Sequence, residues 1–264
     1  MQTISSVSLA GGQGKTTVVL FVARLLAKQG QTVLVIDSDP QSSLTTFLGH
    51  TVEPDSPTLL EVLKKQVSTE DGIYKTRHDN LFLIPSDDAL DTVQDYLAGS
   101  GTGAFTLKRR LAPVAKLFDY CLVDAPPQRS QICLTVIGAS DALMLPIETS
   151  VKGLQSLIRT LELIRELRDD QEAFTGSILG VVPFRDRWVG LRRTNESESN
   201  IQSMKQIMQE WFNEDLVLPS IRESEKFKQA INRQQTLHEM GQHDLAYPIE
   251  VLVEKIVQLE KQHV

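Results

Sequence analysis

The chain has 264 residues, 41% hydrophobic and 23% charged, which suits one large α/β domain with a sizeable core. Its net charge of −7, from 27 basic and 34 acidic side chains, argues against a globally basic nucleic-acid binder but leaves room for a local basic face. No run of about 18 apolar residues marks a membrane span, and no basic segment followed by an apolar core suggests a secretory signal.

Thr3 to Leu9 reads as a short apolar strand that runs into Ala10-Gly11-Gly12-Gln13-Gly14-Lys15-Thr16-Thr17 and then a helix over Thr16–Lys28. A strand, a glycine-rich turn and a helix N-terminus form a phosphate cradle, because glycines let several N–H groups point at one anion and the helix start adds unpaired donors. Lys15 can reach the terminal phosphates and the Thr16 hydroxyl can ligate Mg²⁺. The general P-loop pattern places a further glycine where this chain has Leu9, so the loop is a variant form. Thr32 to Asp37 is a β-branched apolar run, as expected of a strand buried on both faces of a parallel sheet. It ends in Asp37-Ser38-Asp39-Pro40-Gln41, and a βαβ unit making the two strands neighbours would set these acids beside Lys15.

Short helices are expected over 43–48 and 57–67, a strand over Asn80–Pro85 and a helix over Asp87–Leu97, before a loose Gly99-Ser100-Gly101-Thr102-Gly103. Phe105–Phe118 reads as a helix that Pro113 kinks or splits. Tyr120 to Asp124 is another buried strand ending in an acid, which can hold Mg²⁺ through its waters. Further on come a strand over Ala142–Pro146 and a helix over Ser150–Leu167, whose stripe includes Val151, Leu154, Leu157 and Ile158 as expected core. A strand over Ile178–Val182, a helix over Asn195–Phe212, an edge or last strand over Leu216–Leu218, and helices over Arg222–Asn232 and Pro248–Gln262 complete the pattern. Strands alternate with helices throughout, so residues 1–264 read as a single α/β domain: a mostly parallel twisted sheet with helices on both faces. Cys121 and Cys133 lie in apolar contexts without metal spacing and read as reduced core residues of a cytosolic protein.

Three segments together resemble the deviant Walker ATPases of the ParA/MinD group, which position plasmids, chromosomes, division sites and other cargo in bacteria. Gly11-Gly12-Gln13-Gly14-Lys15-Thr16-Thr17 is similar to that group's G-G-x-G-K-T-T, Asp37-Ser38-Asp39-Pro40-Gln41 to its D-x-D-P-Q, and Asp119 to Pro127 to its D-x-x-x-x-D-x-P-P. Agreement is close to about residue 160; later, Leu218-Pro219 and Ile221-Arg222 resemble a segment flanking the nucleotide base. The resemblance implies ATP and Mg²⁺ as cofactors, with Gly11 to Thr17 binding the nucleotide and Thr16, Asp37 and Asp124 serving the metal. It implies that Asp39 positions the attacking water and that Lys15 neutralises charge during slow, switch-type hydrolysis. It further implies an ATP-dependent homodimer, non-specific DNA as partner, a stimulating adaptor protein and a cytoplasmic, nucleoid-associated location. The group's signature lysine, which crosses the dimer to the partner's phosphates, is replaced here by Ala10. Lys152, in the first turn of a helix where the dipole disfavours it by roughly a few tenths of a kcal/mol, is the first candidate to take over that role. Arg129 is the second, and a solvated surface lysine is the plain alternative for Lys152. The alanine resembles the branch that spaces carboxysomes along the nucleoid; plasmid or chromosome partition is the alternative within the group.

Arg185, Arg187, Arg192, Arg193, Arg222, Lys226, Lys228 and Arg233 cluster in the last third and could contact DNA phosphates, although Asp186, Glu196, Glu198, Glu223 and Glu225 intersperse them. A membrane-binding tail would need a basic polar face, whereas the last helix sets Glu250, Glu254 and Glu260 against Lys255 and Lys261; it reads as core packing, with no membrane partner. A metabolic ATP-dependent enzyme of the same fold is the rival from another class, but no substrate constellation is legible.

Overall fold

In a computed structural model the backbone is described for residues 1–262 and side chains for residues 1–259. Ten strands and ten α-helices are found among the described residues. The chain begins β1 (Gln2–Ser6), α1 (Lys15–Lys28), β2 (Val33–Asp37), α2 (Ser43–Phe47), α3 (Leu59–Lys64), β3 (Tyr74–Lys75), β4 (Leu81–Ile84) and α4 (Gln94–Gly99). It continues α5 (Thr106–Leu111), β5 (Tyr120–Asp124), α6 (Gln131–Ala139), β6 (Ala142–Glu148), α7 (Val151–Arg165) and β7 (Ser177–Asp186). It closes β8 (Trp188–Val189), β9 (Arg192–Arg193), α8 (Asn195–Phe212), β10 (Ile221–Arg222), α9 (Glu225–Asn232) and α10 (His243–Gln262).

One sheet of eight strands runs in the order β10-β7-β6-β1-β5-β2-β4-β3, and only the β3–β4 pair is antiparallel. Alternation along each strand builds two cores. Leu34, Ile36, Cys121, Val123, Leu143 and Leu145 face one side with α3 to α8. Val33, Val35, Tyr120, Leu122, Ala142 and Met144 face the other with α1, α9 and α10. The expected doubly covered parallel sheet is therefore present. Both cysteines are free and buried, and burial pushes the Cys133 thiol up to about 12. In α10, Ile249, Leu252, Val253 and Ile256 are buried in the second core, so this helix packs against the sheet side. The side chains of Glu260 and Lys261, read above as part of its polar face, lie outside the described residues.

Several expectations need correction. β1 and β2 are not neighbours, because β5 lies between them. The acids after β2 are thus two strands from the loop, and Asp124 is the carboxylate beside it. Val151, at 65% exposure, and Ile158, at 38%, are surface residues rather than core, whereas Leu157 and Leu161 on the inner side of α7 are buried. The buried stripe of α7 is narrower than its apolar spacing predicts, because only its inner row meets the core. Val217 makes only an isolated bridge to Val181; the last strand is Ile221–Arg222, and α9 starts at Glu225 behind the Ser224 cap. α6 went unread because Gln-Ile-Cys-Leu-Thr-Val-Ile-Gly-Ala is apolar on every side and rich in β-branched residues, which suits a strand equally well; only Ser130, accepting from the Cys133 N–H at 3.2 Å, marks its start. Pro113 does split the 105–118 segment, leaving α5 and a short 3₁₀ turn at Ala112–Val114.

Candidate functional site

Register places the site. Ser6 on β1 pairs with Asp124 on β5, and Asp124 pairs with Asp37 on β2, so three adjacent strands end at one level. The chain after β1 turns through Gly11 to Gly14 into the N-terminus of α1, at the carboxyl edge where α/β sheets bind ligands. Gly12 and Gly14 have left-handed backbones, φ +81° and +96°, which a side chain would strain. At Gly14 space is short as well, since an added Cβ would stand 2.5 Å from the Phe184 ring. Gly14→Ala is expected to cost about 2–4 kcal/mol of stability through strain and overpacking, read by denaturant unfolding, and to abolish nucleotide binding. An alanine variant with unaltered unfolding midpoint would refute this.

The loop borders a cleft of about 400 Å³ lined by Gly11 to Thr17, Asp39, Gln41, Ser43, Phe47, Pro127, Phe184 and Arg185. The Lys15 ammonium is buried and donates to the Ala10 carbonyl at 3.2 Å. Burial lowers its pKa, while Asp124 and Asp39 act in the opposite sense. The Thr16 hydroxyl donates to Asp124 Oδ2 at 2.6 Å. Asp124 Oδ1 is buried without a hydrogen-bond partner. Burial first, and the neighbouring Asp37 charge second, push the Asp124 carboxyl up to about 8. Asp37 is pushed up to about 6, chiefly by burial. Its Oδ2 accepts from the Thr45 N–H and hydroxyl, each at 2.8 Å, and its Oδ1 accepts from the Asp39 N–H at 3.2 Å. Asp37 thus fastens the Asp39–Thr45 segment, and Asp39 faces the cleft while its Oδ1 accepts from the Gln41 N–H.

The structure brings together Gly11, Gly12, Gln13, Gly14, Lys15, Thr16, Thr17, Asp39 and Asp124. Lys152 is exposed on the first turn of α7 and lies outside the lining of the cleft within one protomer. Arg129 is tied to Glu166 at 2.7 Å. Sequence reasoning missed Phe184 and assigned Arg185 to the basic cluster for DNA, whereas both line the cleft. They follow Leu-Gly-Val-Val-Pro, an apolar strand without a recognisable motif, and reach the loop only because β7 lies two strands from β1. A second cavity of about 270 Å³ shares Thr17, Phe47, Phe184 and Arg185 with the cleft and is closed by Arg222 to Glu225, Phe227, Lys228 and Ile231.

The basic residues of the last third differ in their engagements. Arg193 bonds buried Asp186 at 2.9 Å and Glu198 at 2.7 Å. Arg222 stacks on Trp188 at 3.9 Å, and the Trp188 N–H donates to Asp186. Arg187 pairs with Glu223 and Lys228 with Glu225, while Lys226 donates to Gln229. Arg192 and Arg233 are exposed. Leu191, 94% exposed, stands at the tip of the β8–β9 hairpin.

Residues 1–173 match the family described as AAA domain. Over 256 residues the chain is 50% identical to maintenance of carboxysome distribution protein A of Synechococcus elongatus, a match covering 97% of this chain and 99% of that protein. The chain belongs to the ParA/MinD-type ATPase family, in the McdA branch. A solved structure of Cyanothece McdA, an aspartate-to-alanine variant in complex with ATP, superposes with TM-score 0.93 at 50% identity, covering 97% of this chain and 96% of that one. The chromosome partitioning protein ParA of Caulobacter vibrioides is 29% identical over 184 residues, 68% of this chain and 69% of that protein. The family likeness read from the three motifs therefore extends over nearly the whole chain in the McdA relatives.

Proposed function

We propose that this chain is a slow, switch-type ATPase that binds ATP and Mg²⁺, dimerises, holds nucleoid DNA without sequence preference and spaces carboxysomes, with an adaptor protein stimulating hydrolysis. The observation that carries the nucleotide part is the Thr16–Asp124 bond beside buried Lys15, at the mouth of a glycine loop. The residues fit the metal: Asp124 leaves one buried oxygen unpartnered, and burial disfavours its charge in a way a divalent cation would relieve. Bound Mg²⁺ would polarise the phosphoryl oxygens and offset their charge. Thr16 would hold it directly and Asp124 from behind, with Asp37 fixing the neighbouring segment. Lys15 stands ready to pair with the terminal phosphates. Asp39, on the cleft wall, can orient an attacking water. The 270 Å³ cavity is where an adenine base would sit, between Phe184 and the Arg222–Ile231 segment. Fifty per cent identity to proteins named for carboxysome distribution supports the cargo.

Val151 and Lys152 are exposed at the start of α7, which follows the carboxyl end of β6, the parallel neighbour of β1. In a face-to-face dimer, Lys152 would serve the partner's phosphates in place of the lysine absent at Ala10. Exposed Arg192 and Arg233, with the paired Arg187, Arg193, Arg222, Lys226 and Lys228 around them, would meet DNA phosphates, doubled by dimerisation. No helix among the described residues is long and apolar enough to cross a membrane.

Retention on a DNA-coated surface tests the cycle. With MgATP the unaltered chain should be retained and should wash off about 10³-fold more readily as salt rises from 50 to 200 mM; with ADP it should not be held. Lys152→Ala should bind nucleotide but lose both retention and hydrolysis. Turnover unchanged in that variant would remove Lys152 from the site, and ATP-independent or absent retention would remove the nucleoid from the function.

A further inference from the structure

Arg185 lies where the phosphate cleft meets the second cavity and lines both. Its Nη1 would be 3.8 Å from a Cβ on Gly12, so the guanidinium stands against the loop. The position is built and not incidental. The backbone of Arg185 is left-handed, φ +55°, a conformation an arginine does not prefer. Its carbonyl accepts from the Thr149 hydroxyl at 3.0 Å, and the guanidinium sits 5.9 Å from the Phe184 ring that presses on Gly14.

Glu148 is the carboxylate it meets, through one contact of 3.3 Å, with the two side chains 47% and 22% exposed. A single-contact, half-solvated pair contributes little and is readily exchanged. Glu148 itself belongs to the frame of the loop. Its N–H donates to the Gln13 side-chain carbonyl at 2.9 Å, and its Oε2 accepts from the Ser150 hydroxyl at 3.1 Å. A phosphate offers the guanidinium two oxygens at once, a stronger match than one carboxylate oxygen.

We infer that Arg185 is a phosphate contact of the nucleotide within its own protomer, held by Glu148 until a polyphosphate fills the cleft. The inference rests on the nucleotide reading given above. It is separate from the role of Lys152, which acts across a dimer. Arg185 serves the monomer, and it serves ADP as well as ATP.

Titration of the full-length protein with fluorescent ADP and ATP analogues, at protein concentrations where it is monomeric, tests this. Arg185→Gln should weaken both nucleotides about tenfold or more. Arg185→Lys should recover part of that loss. Glu148→Gln should tighten binding severalfold, because the competing charge is gone. Thermal unfolding of each variant without nucleotide separates lost contact from lost fold; should Arg185→Gln unfold, the Lys and Glu148 variants carry the same comparison. A folded Arg185→Gln that binds ADP as tightly as the unaltered chain overturns the inference and leaves the nucleotide reading intact. Failure of the unaltered chain to bind either nucleotide overturns both.

Discussion

Lys15→Ala is expected to abolish turnover, by at least ~10³-fold, and to weaken nucleotide binding so far that saturation is not reached in the millimolar range. The reason lies in what surrounds the ammonium. It is buried, it donates to the Ala10 carbonyl, and burial lowers its pKa while Asp124 and Asp39 offset part of that loss. Removing it takes the buried cation away from the loop and leaves Asp39 on the cleft wall without it, so an incoming polyphosphate loses its nearest attraction. Lys15→Arg should not restore activity, because a longer planar fork at a position with 6% exposure cannot present the compact point charge of the ammonium. Steady-state phosphate release and equilibrium titration measure the two effects. An alanine variant retaining a tenth of normal turnover would show that the loop's N–H groups suffice without a cation.

Asp124→Asn should trade activity for stability. Hydrolysis in the presence of Mg²⁺ should fall at least ~10²-fold, since an amide brings no charge to the metal. The nucleotide-free protein should become more stable at pH 8, by about 1–3 kcal/mol after the cost of an extra amide donor is subtracted. The sign follows from the direction of the shifts. Folding raises Asp37 from 3.8 to about 6 and Asp124 from 3.8 to about 8, in both cases mainly through burial. The folded chain therefore holds protons that the unfolded chain releases. These groups favour the folded state most below about pH 4, and the benefit declines as pH climbs through 6 to 8. For Asp37 the swing is on the order of 3 kcal/mol. Asp124→Asn should flatten the upper part of the decline, between pH 6 and 8, and keep the Asp37 part. Urea unfolding at pH 5, 7 and 8 measures the slopes. A variant less stable than the unaltered chain at pH 8 would show that the Thr16 bond offsets the burial of the charge.

The chemistry was legible in the sequence where it is local. Thr32–Asp37 and Tyr120–Asp124 are apolar runs that end in acids, and the strands found there are Val33–Asp37 and Tyr120–Asp124. Gly11 to Thr17 is a turn into a helix because glycine spacing and helix propensity both require it. What could not be read is what distant parts of the chain decide. No residue in β1 or β2 states that β5 comes between them, because strand order depends on which helices cover which face. Phe184 and Arg185 reach the loop through that order and carry no signature of their own. Val151 and Ile158 have the spacing of core residues, but whether a helix buries one row or two is settled by its neighbour. The same applies to the basic cluster: Arg193 and Arg222 read as free cations in one dimension, and in three they are committed to Asp186 and Trp188.

The ring of Phe184 lies where any carbon attached at position 14 would have to go. A larger residue in the loop meets that ring as well as a left-handed backbone, and a smaller one on β7 strips the loop of its support. The two sites, 170 residues apart in the chain, share one packing contact, so the stability effects of substitutions at both should not add.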